Sequence, residues 1–185
     1  MDRREALALA TTILGGTLVG AELFLSGCKS ESKSDPTTLF SVADIQLMDE
    51  IGETILPDSD RSPGAKAAQI GAFMQVIVAD CYDEAEQQLF TSGLAAINSR
   101  AKTEYGKSFL EMTSTDRTAL LTHFDREARD QKEAETPHFF AMMRELTIWG
   151  YFTSEPGATK ALRYNPIPGR FEGCVDYQPE QPAWF

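Results

Sequence analysis

The hydrophobic positions of the chain follow a helical period from Ser41 onward. Apolar residues recur there at three- and four-residue steps, which places their side chains on one face of an α-helix. Ser41 and Asp44 have the spacing of a capping box, so a first helix should begin here. It should end before Pro57, because the residue before a proline avoids helical backbone angles. Its apolar face would consist of Ile45, Met48, Ile51 and Ile55.

Three further amphipathic segments follow a polar loop at 58–66. The first ends before Asp83, which has the spacing of a capping box with Glu86 and should start the next helix. The second extends from that cap to Gly106, and the third covers 113–130. Their apolar residues are Ile70, Phe73, Met74, Ile77, Val78 and Cys81 in the first, Leu89, Phe90, Leu94 and Ile97 in the second, and Leu120, Leu121 and Phe124 in the third.

A fifth segment has apolar residues on most of its circumference. We expect Thr136 to be its N-cap and Pro137 to occupy the first helical position, where a proline is tolerated. Such a wide stripe predicts a helix buried on more than one face. A short helical turn over about 154–162 should follow. The stripe contains Phe140, Met143, Leu146 and Thr147, widened by Phe139, Met142 and Trp149.

The tail at 163–185 has a different character. Its prolines exclude a continuous helix, and it carries five aromatic residues, which a solvated tail would not need. It should be an extended strap that packs on its own domain or on a partner, and the pattern does not choose between the two. We find no hairpin signal and no repeat. The sequence therefore predicts an all-α fold: a single small helical domain of about five helices at 39–162, with an extended C-terminal strap.

Residues 1–27 have the pattern of a bacterial export signal. Arg3 and Arg4 form a positive end ahead of an apolar run, as in the twin-arginine signals whose machinery accepts folded cargo. The run ends in "LSGC", which resembles a lipoprotein cleavage site with Cys28 as the lipidated residue. A retained membrane-spanning anchor is the alternative, for which Glu22 is unfavourable. Residues 28–38 would form a polar tether.

Composition and charge narrow the functional classes. The 185 residues are 42% hydrophobic, which is ordinary for a globular domain, and the net charge is −11. Residues 1–27 contribute −1, so −10 remains on the rest of the chain. This charge argues against a nucleic-acid partner, which requires a basic surface, and against direct binding to anionic lipid. Contact with a membrane should come through the lipid anchor or through a complex.

The sequence offers no pattern for catalysis, for a cofactor or for a metal. The only glycine cluster lies in the signal, no haem-attachment or serine-hydrolase motif occurs, and His123 and His138 lie on different predicted helices. Glu145, next to Arg144, should be half of a structural ion pair. We therefore predict no catalytic, cofactor-binding or metal-binding residue on this chain. A signal for folded cargo on a chain without a cofactor suggests that the signal serves a folded partner.

Several segments together resemble the gluconate 2-dehydrogenase subunit 3 family. They are the twin-arginine start, "ILPDSDRSPGAKAAQIGAF", "ADCY", "GYFTSE" and "RYNPIPGRFEGC", so the resemblance covers the chain from Leu39 on. It implies a largely helical, non-catalytic small subunit of a membrane-associated, flavin-dependent dehydrogenase of sugars or sugar acids. FAD would be bound by a large flavoprotein subunit and, in many complexes, haem c by a third, cytochrome subunit. The small subunit would supply the export signal and stabilise the flavoprotein in the periplasm.

The resemblance also implies candidate interface residues. Cys81 and Cys174 are disulfide candidates, either with each other or with a partner; Cys174, in the tail, should be the thiol that reaches a partner, and Cys81 should be buried or internally bridged. A free-standing envelope lipoprotein that binds another ligand or protein is the alternative function. The interface candidates are Tyr151, Phe152, Arg163, Tyr164, Pro166, Pro168 and Gly169.

Overall fold

The computed structural model describes residues 39–131, 136–167, 169–170, 173–176 and 178–184. The predicted signal, with Arg3, Arg4 and Cys28, and the predicted tether lie outside these residues. The described part is helical, which confirms the all-α prediction, and its one pairing of extended backbone is an isolated bridge. The helices are α1 (Val42–Ile55), α2 (Ile70–Cys81), α3 (Glu84–Tyr105), α4 (Ser114–Asp130) and α5 (Phe139–Thr153).

Three short helical turns lie between or after these helices. A 3-10 turn at Ala65–Ala68 precedes α2, and a second at Phe109–Glu111 lies between α3 and α4. The predicted turn after α5 is a π-helical turn at Gly157–Ala161. Among the helices that the structure describes, none has both the length and the apolar character needed to cross a bilayer.

The predicted caps of α1 and α3 are confirmed. The Ser41 hydroxyl accepts a hydrogen bond from the Asp44 backbone N–H at 3.2 Å, and the Asp44 carboxylate accepts one from the Ser41 N–H at 2.9 Å. Asp83 and Glu86 make the same reciprocal pair at 2.9 and 3.0 Å. At the other end of α3, Gly106 has a φ of +70°, the left-handed conformation that suits a glycine after a helix.

The helix α5 begins later than predicted, because His138 and not Thr136 is its N-cap. The His138 ring nitrogen Nδ1 accepts a hydrogen bond from the Phe140 backbone N–H at 3.2 Å. Pro137 therefore precedes the cap instead of occupying the first helical turn. Only a neutral imidazole, with a lone pair on Nδ1, can accept this bond.

We expect this cap to make the stability of the domain pH-dependent. Burial lowers the pKa of His138 below its ordinary value, partly offset by the Glu127 carboxylate. As the pH falls, His138 is therefore protonated in the unfolded chain before it is protonated in the folded domain. The stabilisation by the His138 cap is complete above about pH 7 and is lost as the pH falls through about 6.5 and below. In His138→Asn the amide oxygen still caps the helix and does not titrate. Chemical denaturation at several pH values from about 5 to 7.5 gives the free energy of unfolding, which should depend less on pH in this variant than in the wild type. An equal pH dependence in the two proteins would contradict the assignment.

The hydrophobic core lies where α5 meets the other four helices. Met48 of α1, Met74 of α2, Phe90 of α3 and Met143 of α5 are fully buried. Closely packed helices need small residues at their contacts, and Gly93 of α3 meets this need: a Cβ built there would lie 2.2 Å from the Phe139 ring and 2.6 Å from its Cβ. The other largest fully buried side chains are Phe109, Ile51, Ile70, Ile97, Leu120, Val78 and Thr147.

Carboxylates at the end of α1 hold the loop that leads to α2. Glu53 accepts hydrogen bonds from the backbone N–H groups of Asp58 and Lys66, both at 2.9 Å. Glu50 forms ion pairs with Lys66 and with the largely buried Arg117. Arg117 also donates to the carbonyl oxygen of Phe109 at 3.0 Å. These bonds give the loop at 56–66, which the sequence shows only as polar, a defined conformation against the helices.

Candidate functional site

The described residues contain no group of three or more His, Cys, Asp or Glu side chains that could hold a metal ion. His138 caps α5, and His123 is exposed on α4. The predicted ion pair of Glu145 is wrong: Glu145 is exposed, and Arg144 pairs instead with Asp125 of α4. The candidate functional site consists of surfaces that could bind another protein.

Both predicted disulfide candidates have free thiols. Cys81, the last residue of α2, is exposed, which corrects the expectation that it is buried or internally bridged. Cys174 in the tail is exposed as well. The helical stripe assigned Cys81 to the core, but α2 ends at this residue and the side chain lies beyond the packed part of the helix. A bond from either thiol to a partner stays a prediction.

Two of the predicted interface residues lie at the C-terminal end of α5 and belong wholly or partly to the domain. Tyr151 is only 3% exposed, and its hydroxyl donates a hydrogen bond to the carbonyl oxygen of Pro63 in the loop after α1. It therefore ties this loop to α5 and does not offer its side chain to a partner, contrary to the prediction. Phe152 is half-buried and meets the Tyr151 ring edge-on, with ring centroids 5.1 Å apart.

Arg163 joins the two ends of the tail. Its backbone N–H donates to the carbonyl oxygen of Ala183 at 2.8 Å, and its guanidinium donates to the Gln181 side chain at 2.8 Å. The guanidinium also lies over the Trp184 ring, 4.0 Å from the centroid, in cation–π geometry. Since Arg163 and its partners here are exposed, this clasp holds one part of the tail against another without forming core.

A groove of about 700 Å³ separates this tail from the helical domain. One wall consists of Phe152 and the loop after α1, and the other includes Pro179 and Pro182 of the tail. Part of the strap therefore runs over the chain's own domain, which is one of the two arrangements that the sequence left open.

The remaining tail candidates are accessible. Tyr164, Pro166 and Gly169 are exposed, with Gly169 at a φ of +71°. Ile167, between the two prolines, is 82% exposed. Pro168 lies outside the described residues. The tail thus presents apolar side chains to solvent directly after the residue, Arg163, that forms the clasp.

The structure also reveals an exposed apolar surface that the sequence pattern missed. It is formed by Phe73 and Val76, three residues apart on α2, with Trp149 of α5, which contacts Phe73, and we call it the α2–α5 face; the exposed Ile148 precedes Trp149 in the chain. Trp149, predicted to lie in the buried stripe, is 52% exposed and contacts Phe73 edge-on with centroids 5.4 Å apart. The sequence did contain a feature that could have predicted this exposure: Val76 and Ile148 are apolar yet lie outside the core stripes of their helices.

Comparison with known proteins gives one match. The family model described as "Gluconate 2-dehydrogenase subunit 3" matches residues 43–169, which is more than half of the chain and extends from α1 into the tail. No curated protein and no solved structure matches the chain. The matched range includes both Cys81 and the exposed apolar residues of α2 and α5. On this match, the chain belongs to the gluconate 2-dehydrogenase subunit 3 family.

Proposed function

We propose that this chain is the non-catalytic small subunit of a flavin-dependent sugar or sugar-acid dehydrogenase, and that it exports and stabilises the folded flavoprotein subunit. The observation that carries the proposal is the family match, which makes the chain a subunit of a dehydrogenase complex. The partner flavoprotein would bind FAD and oxidise the substrate. A cytochrome subunit with haem c would be the electron acceptor in a three-subunit complex.

The charge and signal patterns support the export role. Arg3 and Arg4 precede an apolar run in the arrangement of a twin-arginine signal, and this route moves proteins that have already folded. A flavoprotein must fold around FAD before export, so a signal on a bound small subunit would carry it across. The complex would then lie in the periplasm or cell envelope, associated with the membrane.

Co-purification tests the proposal directly. The full-length chain, tagged at its C-terminus and extracted from the cell envelope in mild detergent, should bring down a larger protein with the absorption spectrum of bound flavin. The control is the same extraction from cells that carry the tag on an unrelated envelope lipoprotein. Recovery of the chain by itself would instead favour a free-standing envelope lipoprotein, the function that "LSGC" alone would support.

Cys28→Ser provides a separate prediction about the membrane. If Cys28 is lipidated, the variant should move from the membrane fraction to the soluble periplasmic fraction and lose incorporation of labelled fatty acid. The acyl chains supply the binding energy, at about 0.8 kcal/mol per buried CH₂ group. Cys81→Ser is the matched control, since it removes a thiol elsewhere and should leave the fractionation unchanged. Membrane attachment of Cys28→Ser at the wild-type level would show that the anchor is either the retained apolar run before Cys28 or another component of the complex.

A further inference from the structure

The α2–α5 face has the chemical character of a protein interface. Val76, Ile148 and Trp149 are 48%, 42% and 52% exposed and lie on two adjacent helices. Contiguous apolar side chains on a surface, especially with a tryptophan, are typical of protein-binding sites. The contact with Phe73 holds the Trp149 ring in place, so little side-chain entropy would be lost on binding.

Acidic groups border this face. Asp80 of α2 and Glu145 of α5 are exposed, and among the described residues neither forms an ion pair. The pKa of Tyr82, at the end of α2, is raised first by burial and then by the carboxylates of Glu86 and Glu145. Among the described residues, this end of the face therefore has carboxylates that no ion pair neutralises.

We propose that the α2–α5 face binds the flavoprotein subunit, on an apolar patch of that subunit that is bordered by arginine or lysine side chains. This inference rests on the proposed function and adds to it the surface and the chemistry of the contact. The aromatic and aliphatic side chains would supply the buried centre of the interface. Asp80 and Glu145 would pair with the basic border and orient the two subunits.

Charge favours the flavoprotein over two other possible partners of this face, a second copy of the chain and the chain's own residues 29–38. In a symmetric pair of two copies the same patch meets itself, so the carboxylates of Asp80 and Glu145 would approach their counterparts and repel them. The chain's own residues 29–38, "KSESKSDPTT", contain no aromatic or large aliphatic side chain and carry no net charge. Neither a second copy nor this segment complements an apolar face with an acidic border, whereas a basic-bordered apolar surface does.

Two single substitutions test the apolar centre. Val76→Asp and Trp149→Ala should each weaken binding of the purified full-length chain to the flavoprotein that co-purifies with it, by about 30-fold for a central interface residue. Since both side chains are exposed, circular dichroism and thermal midpoint should remain close to wild type. Val76→Asp keeps the test valid if the loss of the Phe73 contact destabilises Trp149→Ala. Leu110→Asp is the control, because Leu110 is similarly exposed, at 40%, but lies in the turn between α3 and α4.

A second arm tests the acidic border. Asp80→Lys with Glu145→Lys should weaken binding at low salt and flatten its dependence on ionic strength, because the attraction to a basic border is lost. Wild-type affinity in this variant and in Val76→Asp would overturn the inference while leaving the proposed function intact. A wild-type dimer that becomes monomeric in Val76→Asp without loss of flavoprotein binding would assign the face to a second copy and also overturn it. Failure of the wild-type chain to bind any flavoprotein would reject the proposed function itself.

Discussion

Replacing both Arg3 and Arg4 with lysine should leave the flavoprotein subunit in the cytoplasm, folded and with its FAD. The twin-arginine route recognises the arginine pair, and lysine keeps the positive charge while removing the guanidinium groups. Under the proposed function the flavoprotein has no export signal of its own, so export of both subunits should fall close to zero. Cell fractionation, followed by dehydrogenase activity with an artificial electron acceptor in each fraction, measures the effect.

Two controls show whether the loss of export is specific to the arginine pair and whether the flavoprotein itself can still be exported. Arg61→Lys makes the same chemical change in an exposed loop of the domain and should leave export at the wild-type level. A twin-arginine signal fused directly to the flavoprotein should restore its export in the presence of the lysine variant. Periplasmic activity in the lysine variant without that fusion would mean that the flavoprotein crosses the membrane independently of this chain.

Phe90→Ala should produce a large loss of stability in the helical domain. The Phe90 side chain is fully buried in α3 and meets the Phe40 ring edge-on, with centroids 5.9 Å apart. Truncation removes apolar contacts and leaves a cavity, which costs about 3–5 kcal/mol in the free energy of unfolding. That is a large part of the total for a domain of this size. Urea denaturation should show a lower midpoint with a similar slope.

Val42→Ala is the control for this substitution, because Val42 is 73% exposed at the start of α1 and should change the free energy of unfolding by less than about 0.5 kcal/mol. The loss in Phe90→Ala should also reduce the amount of flavoprotein recovered from the envelope, since an unfolded small subunit cannot accompany it. A loss below about 1 kcal/mol would mean that the Phe90 site closes up after truncation.

The two kinds of prediction separate the roles of different parts of the chain. The lysine variant tests recognition of the proposed signal and leaves the helical domain unchanged. Phe90→Ala tests the stability of the helical domain, to which the proposed function assigns the binding of the partner. The substitutions in the α2–α5 face test binding by itself, because those side chains are exposed and the core beneath them stays intact. Under the proposed function, the chain would therefore serve the enzyme through export, stability and contact.

Local chemistry explains why the helices could be predicted well. Each capping box satisfies backbone N–H groups through side chains three residues apart, so Ser41 and Asp83 mark helix starts independently of the rest of the fold. Pro57 and Gly106 mark ends for equally local reasons. The start of α5 was wrong by two residues because Thr136 and His138 can both act as caps, and the choice depends on how Pro137 enters the helix.

The candidate site was harder to predict because the exposure of a side chain depends on the helices and loops that pack around it. The stripe of α5 includes Trp149, yet the ring lies at the edge of the contact with α2 and half of it remains outside. The sequence predicts that Tyr151 reaches a partner, but its hydroxyl donates a hydrogen bond to a carbonyl oxygen 88 residues earlier in the chain. Neither outcome depends on local sequence, so no periodicity could distinguish the two side chains.

The sequence by itself determined the helical period of the domain, most of its helix ends, the proline-rich departure from helix after residue 162, and the resemblance that the family match confirms. These features depend on residues within about one or two helical turns of each other, or on motifs read directly from the chain. Only the tertiary structure decided which apolar residues the core leaves exposed, that Cys81 is accessible, and that Arg163 closes the tail on Trp184. The physical reason is that burial is set by the packing of whole helices and of chain segments far apart in sequence, and a one-dimensional pattern does not contain that packing.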